Sequence, residues 1–582
     1  MIVNYNFDIE ESKDGYKVLK INKDNKKVYI GSKYRMKQCI DKLISEDKEI
    51  DEESIIIIFG IGTGQYIKNI YSKFKNVKIL IFEPNIRIRD YVNQSVDDYG
   101  FLKERNVYLL NGENEGEIYD ELSKIIGEFD ISKILYRWIL NYDKVYKEEI
   151  LKFSNVIRKF INDIAISRNT SMIFSNRWFD TLMCNLKYII QSTPINLLKN
   201  KFIDVPAIIV SAGPSLSKNI NELSNIKDNM MILSGGRTLR TLMEMNVKPS
   251  LIGVVDPGEV SYDLVKGYIE NTDVPLLYYE GTNEIVVKRH RGNKLCFSQN
   301  DTVSNIFGMR LKNLSLGGSI AHTLTAAASY FGCNPIIFIG QDLAYTGEKY
   351  HADIAINQFK DDKDNKIREN MSFLYVEDIY GGKVRTSEVL DNFRRDLEKI
   401  IQNNKDITFI NATEGGAKIK GTIQMTLKDA IKKYKIQNSI GCFEGDNELD
   451  VSKIKQSSVE ILEKIIEADE KIIDKSKRAL RIIKDLEIYI VTKQKSKVDR
   501  CLKQLDKIDK VIKEKYENLD ILRSIIYPTI YTILSSNKPK NDKEIIERNK
   551  YLYESILNVS KEVLDPIKKT KFQIEKMEKY DD

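Results

Sequence analysis

Several apolar runs of this 582-residue chain are followed by short stretches rich in Gly, Ser, Thr and acidic residues. The stretches are Ser211-Ala212-Gly213-Pro214-Ser215-Leu216, Asp256-Pro257-Gly258, Gly317-Gly318-Ser319, Gly340-Gln341-Asp342 and Ala412-Thr413-Glu414-Gly415-Gly416. Glycine lets the main chain approach a ligand closely, and free N–H groups at the start of a helix favour phosphate. These residue types together predict a cleft for a nucleotide monophosphate or diphosphate.

The elements that must position these stretches follow an alternating strand–helix pattern. Strands are predicted at 207–211, 230–234, 251–255, 276–279, 336–340 and 407–410. The alternation predicts a mostly parallel sheet covered on both faces, and the carboxyl ends of parallel strands share one edge. We therefore expect the loops after these strands, with the turn after 316, to meet in one pocket. For any single loop, an ordinary helix cap is the alternative interpretation.

A second Gly-rich turn lies near the N-terminus, in IIIIFGIGTGQYIKNIYSKFKNVKILIFEPN (55–85). The pattern indicates a strand, a turn containing Gly60, Gly62 and Gly64, a helix, and a second strand that ends at Glu83. A nucleotide-binding Rossmann unit has this layout, which is similar to the S-adenosylmethionine pocket of methyltransferases. The same turn also serves simply to reverse the chain tightly, and a degenerate Rossmann module is the alternative.

We predict an α/β protein in four parts. They are an N-terminal Rossmann-like domain at 1–165, a helical bridge at 166–203, a central mostly parallel α/β domain at 204–437 and a C-terminal α-helical domain at 438–582. In the last part an approximate a/d stripe, interrupted by Asp469 and Ser476, runs through Val459, Leu462, Ile466, Ile473, Leu480 and Ile483. Pro528 and Pro539 lie near a break, so we expect a bundle of several helices.

The composition excludes several classes of protein. A net charge of +6, with acidic and basic residues interleaved, is no basis for expecting a nucleic-acid partner. The six cysteines form no CxxC pair, so neither a zinc site nor a disulfide framework is indicated. No apolar run approaches the roughly 18 to 20 residues of a membrane span, and the N-terminus lacks a signal-peptide pattern. We expect a soluble, cytoplasmic protein with no membrane insertion.

Three longer runs resemble the motility-associated factor (Maf) flagellin glycosyltransferases over about 175–430. The runs are RWFDTLMCNLKYIIQSTPINLLKNKFIDVPAIIVSAGPSL, GGSIAHTLTAAASYFGCNPIIFIGQDLAYTGEKYHA and INATEGGAKIKGT. The resemblance implies a cytoplasmic enzyme of flagellar assembly and motility. It would attach pseudaminic or legionaminic acid, which are nonulosonic acids, from a CMP-activated donor to Ser or Thr of flagellin. The central domain of this family is shared with archaeal 6-hydroxymethylpterin diphosphokinases.

The chain is also similar to small bacterial sialyltransferases, which implies a sialyltransferase-like (GT-A-like) central domain. Their Gly-Pro-Ser-Leu turn, which touches CMP, matches Gly213–Leu216, and their Ser-rich turn matches Gly318-Ser319. Their Gly-x-Asp strand end matches Gly340–Asp342, with Tyr345 nearby, and tyrosine hydroxyls there hold the departing phosphate. Those enzymes carry a base histidine further downstream, whereas this chain has no His beyond His351.

The resemblance implies a set of site residues. The catalytic candidates are His351 as base, Asp342, and Tyr345 assisting the leaving phosphate. The nucleotide-sugar-binding candidates are Ala212, Gly213, Pro214, Ser215, Asp256, Gly318, Ser319, Gln341, Thr413 and Glu414. Asp256 and Asp342 would bind ribose, cytosine or a divalent metal (Mg²⁺ or Mn²⁺), although no cofactor beyond the CMP-sugar donor is required. Arg237 and Arg240 could pair with the carboxylate of the donor, and a solvated helix face is the alternative.

Some alternatives stay open at this point. Asp256, Asp342 or Glu414 could replace His351 as the base, since His351 could equally be an ordinary loop histidine. A pterin diphosphokinase would use ATP, Mg²⁺ and a pterin. A flagellin-binding chaperone with a relict site would catalyse nothing.

Overall fold

The computed structural model describes the chain except for residues 25, 47–49, 75, 96–98, 227–228, 315, 357–372, 438, 444–448, 518–519, 536–540 and 578–582. The chain forms two compact units, Met1–Ile173 with Ile530–Lys538 and Phe174–Thr529 with Pro539–Asp582. Each unit has its own apolar core.

The first unit contains a three-stranded antiparallel sheet and a four-stranded parallel sheet. The antiparallel strands are β1 (Asn6–Glu11), β2 (Lys17–Lys23) and β3 (Lys26–Ile30). The parallel strands are β4 (Ile55–Phe59), β5 (Lys78–Phe82), β6 (Val107–Leu110) and β7 (Ile134–Trp138), in the order β6-β5-β4-β7. The helices are α1 (Met36–Glu46), α2 (Gln65–Lys73), α3 (Ile86–Gln94), α4 (Glu115–Ile125), α5 (Tyr142–Val145) and the first part of α6 (Lys147–Ile189). The predicted unit of strand, Gly-rich turn, helix and strand is confirmed.

The second unit is built on a nine-stranded sheet in which every pairing is parallel. Its strands are β8 (Thr193–Pro194), β9 (Ala207–Val210), β10 (Met231–Gly235), β11 (Leu251–Gly253), β12 (Leu276–Tyr278), β13 (Lys294–Cys296), β14 (Ile336–Ile339), β17 (Phe409–Asn411) and β18 (Ile423–Gln424). A hairpin of β15 (Leu374–Glu377) and β16 (Lys383–Thr386) precedes β17. The six predicted strands are all present, and the predicted α/β fold is confirmed. The sequence analysis missed the short strands β8, β13 and β18. These strands do not lie in longer apolar runs such as the one that marks β11.

Helices cover both faces of this sheet. In the order of the chain they are α7 (Leu216–Asn219), α8 (Gly236–Glu244), α9 (Glu259–Val265), α10 (Glu284–Arg289), α11 (Asp301–Phe307), α12 (Ile320–Phe331), α13 (Glu388–Asn403) and α14 (Leu427–Tyr434). On one face Ile208 and Val210 pack in a core with α7, α8 and α14. On the other face Ile209 and Leu233 pack in a core with α12 and α13. Alternate residues of the same strand therefore enter different cores, as expected for a sheet buried on both sides.

Helix α12 lies close to the sheet because glycines face it. A Cβ atom at Gly235 would lie 2.7 Å from Cγ2 of Ile320, and one at Gly253 would lie 2.8 Å from Cδ2 of Leu324. The N-terminal turn of α12 is thereby brought to the carboxyl ends of β10 and β11.

The strand order has a switch point next to β9. The order is β18-β17-β14-β9-β10-β11-β12-β13-β8, so the chain runs outward from β9 to β13 and then returns to place β14 on the other side of β9. In open α/β sheets ligands collect at the carboxyl edge near such a point. The loops after β9 and β14 are therefore the first place to look for a site.

The C-terminal region is helical, as predicted. Its helices are α15 (Val451–Val491), α16 (Lys495–Glu517), α17 (Asp520–Ser535) and α18 (Asp542–Glu575), and α15 packs against both α16 and α18. Several helices are present, as expected: α17 ends at Ser535 and α18 begins at Asp542. Pro528 lies inside α17, and Pro539 lies outside the described residues. Within the described part of the chain, no helix combines the length and apolar character needed to cross a bilayer.

The buried seam of α15 carries polar residues. Its buried positions include Leu462, Ile465, Asp469, Ile472, Ser476, Ala479 and Ile483, which follow a heptad spacing. Asp469 and Ser476 therefore lie inside the seam, whereas the predicted stripe positions Val459, Ile466, Ile473 and Leu480 are half-buried. Burial raises the pKa of Asp469 to about 7; neighbouring Glu470 raises it further, while Ser560 and Lys568 lower it.

We expect Asp469→Asn to stabilise the protein above neutral pH. In the wild type the folded pKa lies above the unfolded value of about 3.9, so stability is lost as pH rises from about 4 to 7. The asparagine resembles the protonated acid and removes this dependence of stability on pH. We expect it to raise the free energy of unfolding by roughly 1 to 3 kcal/mol at pH 8 and to change it little at pH 4. Thermal unfolding monitored by circular dichroism across this pH range measures it. Glu467→Gln is the control, since Glu467 is exposed on the same helix, and a D469N profile parallel to wild type would contradict the prediction.

Candidate functional site

The loops after β9, β14 and β17 meet at the carboxyl edge of the nine-stranded sheet. The Gly213 N–H donates to the Gly340 carbonyl oxygen (2.7 Å), and the Gln341 N–H donates to Oγ1 of Thr413 (3.1 Å). Ser211 Oγ also donates to Oε1 of Gln341. Three of the predicted stretches are thus in direct contact.

The carboxylate of Asp342 lies at the centre of these loops. It accepts hydrogen bonds from Ser215 through the N–H (3.2 Å) and Oγ (2.7 Å), and only 1% of the residue is exposed. A Cβ atom at Gly213 would lie 2.3 Å from Oδ1 of Asp342, and one at Gly416 would lie 2.2 Å from its carbonyl oxygen. The glycines are therefore required for close packing around this carboxylate. Burial raises the pKa of Asp342, and hydrogen bonds from Thr346 and Ser215 lower it.

The N–H groups of the Gly-Pro-Ser turn are already hydrogen-bonded within the protein. The Ser215 N–H, at the start of α7, meets the Asp342 carboxylate, and the Gly213 N–H meets a carbonyl group. The predicted phosphate contacts of Gly213 and Ser215 would require these groups to exchange their partners. Ala212, Gly213 and Pro214 are half-buried and present the outer surface of the turn.

The loop after β17 interlocks with the same cluster. Thr413 is fully buried, and its N–H donates to Oδ1 of Asn411 (3.1 Å). The carbonyl oxygen of Glu414 accepts from Nζ of Lys218 (2.7 Å), while Asn219 Nδ2 donates to the Ala412 carbonyl oxygen (2.8 Å). The sequence analysis missed Asn219, the last residue of α7, and Asn411, the last residue of β17. Asn at the end of a buried strand is a recognisable capping signal, so Asn411 could have been found.

Asp256 lies on the other side of β9, in the loop after β11. Its side chain is exposed, yet the protein around it raises the pKa of the carboxyl group by desolvation. A side chain that water reaches while protein surrounds it is expected on a concave surface. No hydrogen bond or ion pair joins this carboxylate to any residue that the structure describes. The Asp256 carboxylate is thus open to a ligand, whereas that of Asp342 is enclosed by Ser215.

The Gly317-Gly318-Ser319 turn lies at the ends of β10 and β11, because Ile320 packs against Gly235 and Gly253. Ser319 begins α12, and its Oγ accepts from the Ala321 N–H (3.4 Å). His322 is buried between the Ser319 and Phe393 carbonyl oxygens, at 3.2 and 2.8 Å from its ring nitrogens, and burial lowers its pKa. The turn is therefore tied to α13, and the sequence analysis missed this role of His322.

The chain after Asp342 runs across the edge of the sheet. The Ala352 N–H donates to the Ala212 carbonyl oxygen (2.9 Å), which places half-buried His351 beside the Gly-Pro-Ser turn. Burial and the neighbouring Arg237 charge lower the pKa of His351 to about 3, so its imidazole is neutral at physiological pH. Tyr345 is buried, with its ring 5.8 Å from that of Tyr350.

The two predicted arginines contact this crossing segment. Arg240 Nη2 donates to the carbonyl oxygens of Ile354 (3.3 Å) and Ile356 (3.0 Å), and Arg237 Nη1 donates to that of Ala355 (3.5 Å). Arg240 therefore holds the main chain of the segment.

The site thus has two parts. Gly213, Ser215, Gln341, Asp342 and Thr413 form an interlocked cluster on the β17–β14–β9 side, and the outer surface of the Gly-Pro-Ser turn and Glu414 border it. Asp256, Ser319 and Gly318 lie at the ends of β10 and β11, and His351 and Arg237 lie next to Ala212. In the described part of the chain, no three His, Cys, Asp or Glu side chains are grouped to hold a metal ion.

The Gly-rich turn of the first unit is filled by protein side chains. A Cβ atom at Gly60 would lie 2.3 Å from the Tyr142 ring, and one at Gly64 would lie 2.8 Å from the Phe101 ring. Glu83 is fully buried and accepts from the Ile61 N–H (2.9 Å) and the Tyr142 hydroxyl (2.7 Å). Burial raises the pKa of Glu83 to about 7. The glycines of this turn and the Glu83 carboxylate thus contact other parts of the protein.

Comparisons with known proteins concern the fold and one domain of the chain. The family model "6-hydroxymethylpterin diphosphokinase MptE-like" matches residues 180–348. The fold is similar to the solved structure of the Maf glycosyltransferase from Magnetospirillum magneticum AMB-1, with a TM-score of 0.58 and 14% identity over 99% of this chain and 94% of that chain. The resemblance to the Maf family is thereby confirmed for the MptE-like domain and for the fold. A search of curated proteins returned no match.

We expect Asp342→Asn to destabilise the protein without any ligand present. Oδ1 of Asp342 accepts from both the Ser215 hydroxyl and the Ser215 N–H, and Oδ2 accepts from the same N–H (3.2 Å). An asparagine replaces one of these oxygens with an NH2 group, so that a donor faces a donor in a buried place, at a cost of about 1 to 3 kcal/mol. Asp256→Asn is the matched control, because its exposed carboxylate should change stability by less than about 0.5 kcal/mol. Chemical denaturation of both variants measures this, and equal midpoints would show that Asp342 has no structural role.

Proposed function

We propose that the chain is a cytoplasmic protein O-glycosyltransferase that moves a nonulosonic acid from a CMP-sugar to Ser or Thr of flagellin. The sugar would be of the pseudaminic or legionaminic type, and the reaction would serve flagellar assembly and motility. The observation that carries the proposal is the convergence of the predicted loops on one sheet edge, with the open Asp256 carboxylate at the ends of the strands that Ser319 approaches. The similarity of fold to a Maf glycosyltransferase over nearly the whole chain supports it.

In the proposed reaction the acceptor hydroxyl oxygen bonds to the anomeric carbon of the donor. The bond between that carbon and the phosphate oxygen breaks, CMP leaves with the electron pair, and the hydroxyl proton passes to a base. The Gly318-Ser319 turn and the outer surface of Ala212–Pro214 bind the nucleotide, and Arg237 faces the carboxylate of the donor. Placing positive and N–H groups near the leaving phosphate stabilises the charge that develops there.

Four side chains are candidates for the base, namely His351, Asp256, Asp342 and Glu414. The Asp342 carboxylate is already held by Ser215, and Glu414 borders that cluster, so His351 and Asp256 are compared here. A base works best when its pKa lies near the operating pH. The pKa of His351 is lowered to about 3 and Arg237 opposes its protonation, whereas the pKa of Asp256 is raised above its ordinary value. We therefore assign the role of the base, which accepts the hydroxyl proton, to Asp256. His351 is then a neutral ring that shapes the site.

The direct test is incubation with CMP-pseudaminic or CMP-legionaminic acid and purified flagellin. We expect a mass increase of flagellin by one or more nonulosonate units, with CMP released in equal amount. CMP release only in the presence of flagellin would separate the enzyme from a flagellin-binding chaperone. Absence of both transfer and release with either donor would remove the proposal.

Variants separate the roles of the residues. We expect Asp256→Asn to lower kcat at least about 100-fold, the usual contribution of a general base, with donor affinity within about threefold of wild type. His351→Gln should lower kcat less than about tenfold. Ser319→Ala should weaken donor binding in calorimetry. Loss of donor binding in D256N, with kcat spared at saturation, would make Asp256 a binding residue.

The MptE-like match supports a second candidate, a pterin diphosphokinase. That enzyme would transfer the terminal diphosphoryl group of ATP to the hydroxyl of 6-hydroxymethylpterin and release AMP. Formation of AMP that depends on pterin and Mg²⁺, without glycosyl transfer, would favour it.

A further inference from the structure

The loop that carries Asp256 is held through its main chain from two helices. Arg177, on α6, donates through Nε to the Pro257 carbonyl oxygen (3.0 Å). Asn283, just before α10, donates through Nδ2 to the carbonyl oxygens of Pro257 (3.3 Å) and Gly258 (3.1 Å). The Asn283 N–H donates to the Asp256 carbonyl oxygen (3.1 Å). Three consecutive carbonyl groups are thus fixed.

Arg177 also joins the loop to α10. Its Nη2 and Nη1 lie 2.6 and 3.2 Å from the two carboxylate oxygens of Glu284, the first residue of that helix. Asn283 caps the same helix, since its Oδ1 accepts from the Ile285 N–H (3.0 Å). One planar guanidinium group therefore contacts both a carbonyl and a carboxylate in fixed directions, which an ammonium group cannot reproduce.

The side chain of Asp256 depends on this main-chain support. Its carboxylate has no hydrogen bond or ion pair to the described residues, and nothing lies within 4 Å of the Cβ position of Gly258. Since no contact of its own with the described residues fixes the carboxylate, its position follows that of the loop. Arg177 and Asn283 hold this loop in place.

We propose that Arg177 is a positioning residue that aims the Asp256 carboxylate into the site. The inference rests on the proposed function for its catalytic consequence. Asn283 is buried and also caps a helix, so its replacement would disturb folding. Arg177 and Glu284 are half-buried and are the better residues to change.

The first experiment uses hydrogen–deuterium exchange of the full-length protein. We expect Arg177→Ala to raise exchange in peptides covering 254–260, and Arg177→Lys and Glu284→Gln to raise it less. Lys571→Ala is the matched control: Lys571 is a half-buried cation paired with Glu463 (3.1 Å) in the C-terminal helices. Exchange of 254–260 in R177K and R177A equal to that of wild type would overturn the inference, whether or not the chain is a transferase.

The second experiment is a double-mutant cycle on the transfer reaction. We expect R177A to lower kcat/KM at least about tenfold, chiefly through kcat. The free energy of a hydrogen bond to a charged group corresponds to about that change in rate. R177A should have no further effect in the D256N background, because its effect passes through Asp256. A loss in R177A that adds to that of D256N would instead show a general structural effect and overturn the inference.

The two experiments also separate this inference from the proposed function. Failure of the wild type to transfer any nonulosonate would count against the proposed function alone. Faster exchange of 254–260 in R177A would then still support the positioning contact, and unchanged exchange would remove it.

Discussion

The carboxyl edge of the central sheet is organised around one buried carboxylate. Asp342 meets the N–H and hydroxyl of Ser215 at the start of α7, and glycines on the neighbouring loops leave room for it. An anion at a helix start is favourable wherever it comes from, because unpaired N–H groups carry partial positive charge there. The protein supplies this carboxylate from the loop after its own strand β14. The loops after β9, β14 and β17 are consequently held together by direct hydrogen bonds.

The other half of the sheet edge, which carries Asp256, must be held in place separately. A transfer reaction requires reacting groups held in fixed geometry, and a base on a loose loop loses most of its effect. The Asp256 loop does not share in the Asp342 cluster and instead obtains its rigidity from Arg177 and Asn283. This sheet edge is thus built from two separately supported parts, one that contains the interlocked loops and one that presents an open carboxylate.

The first unit contains a similar pairing of a turn with a carboxylate. Its Gly-rich turn also faces a buried carboxylate, since Glu83 accepts from the Ile61 N–H. Aromatic rings of Tyr142 and Phe101 fill the space over the glycines. A Gly-rich turn followed by an acidic residue is thus compatible with two outcomes: binding a ligand, or pairing the turn with an internal acid.

Local sequence alone predicted the strands, because a buried β-branched run acts through neighbours only a few positions away, and the alternation of strands with helices predicted the parallel sheet. It also identified the loops of the site, since strand ends of a parallel sheet must share an edge. Tertiary structure alone decided what each acidic residue does. Asp342 and Asp256 have the same side chain after similar strands, yet one is buried against Ser215 and the other is open. That difference depends on partners 127 residues away for Asp342. The same holds for Asp469, whose place in the buried seam of α15 depends on which helix packs against it.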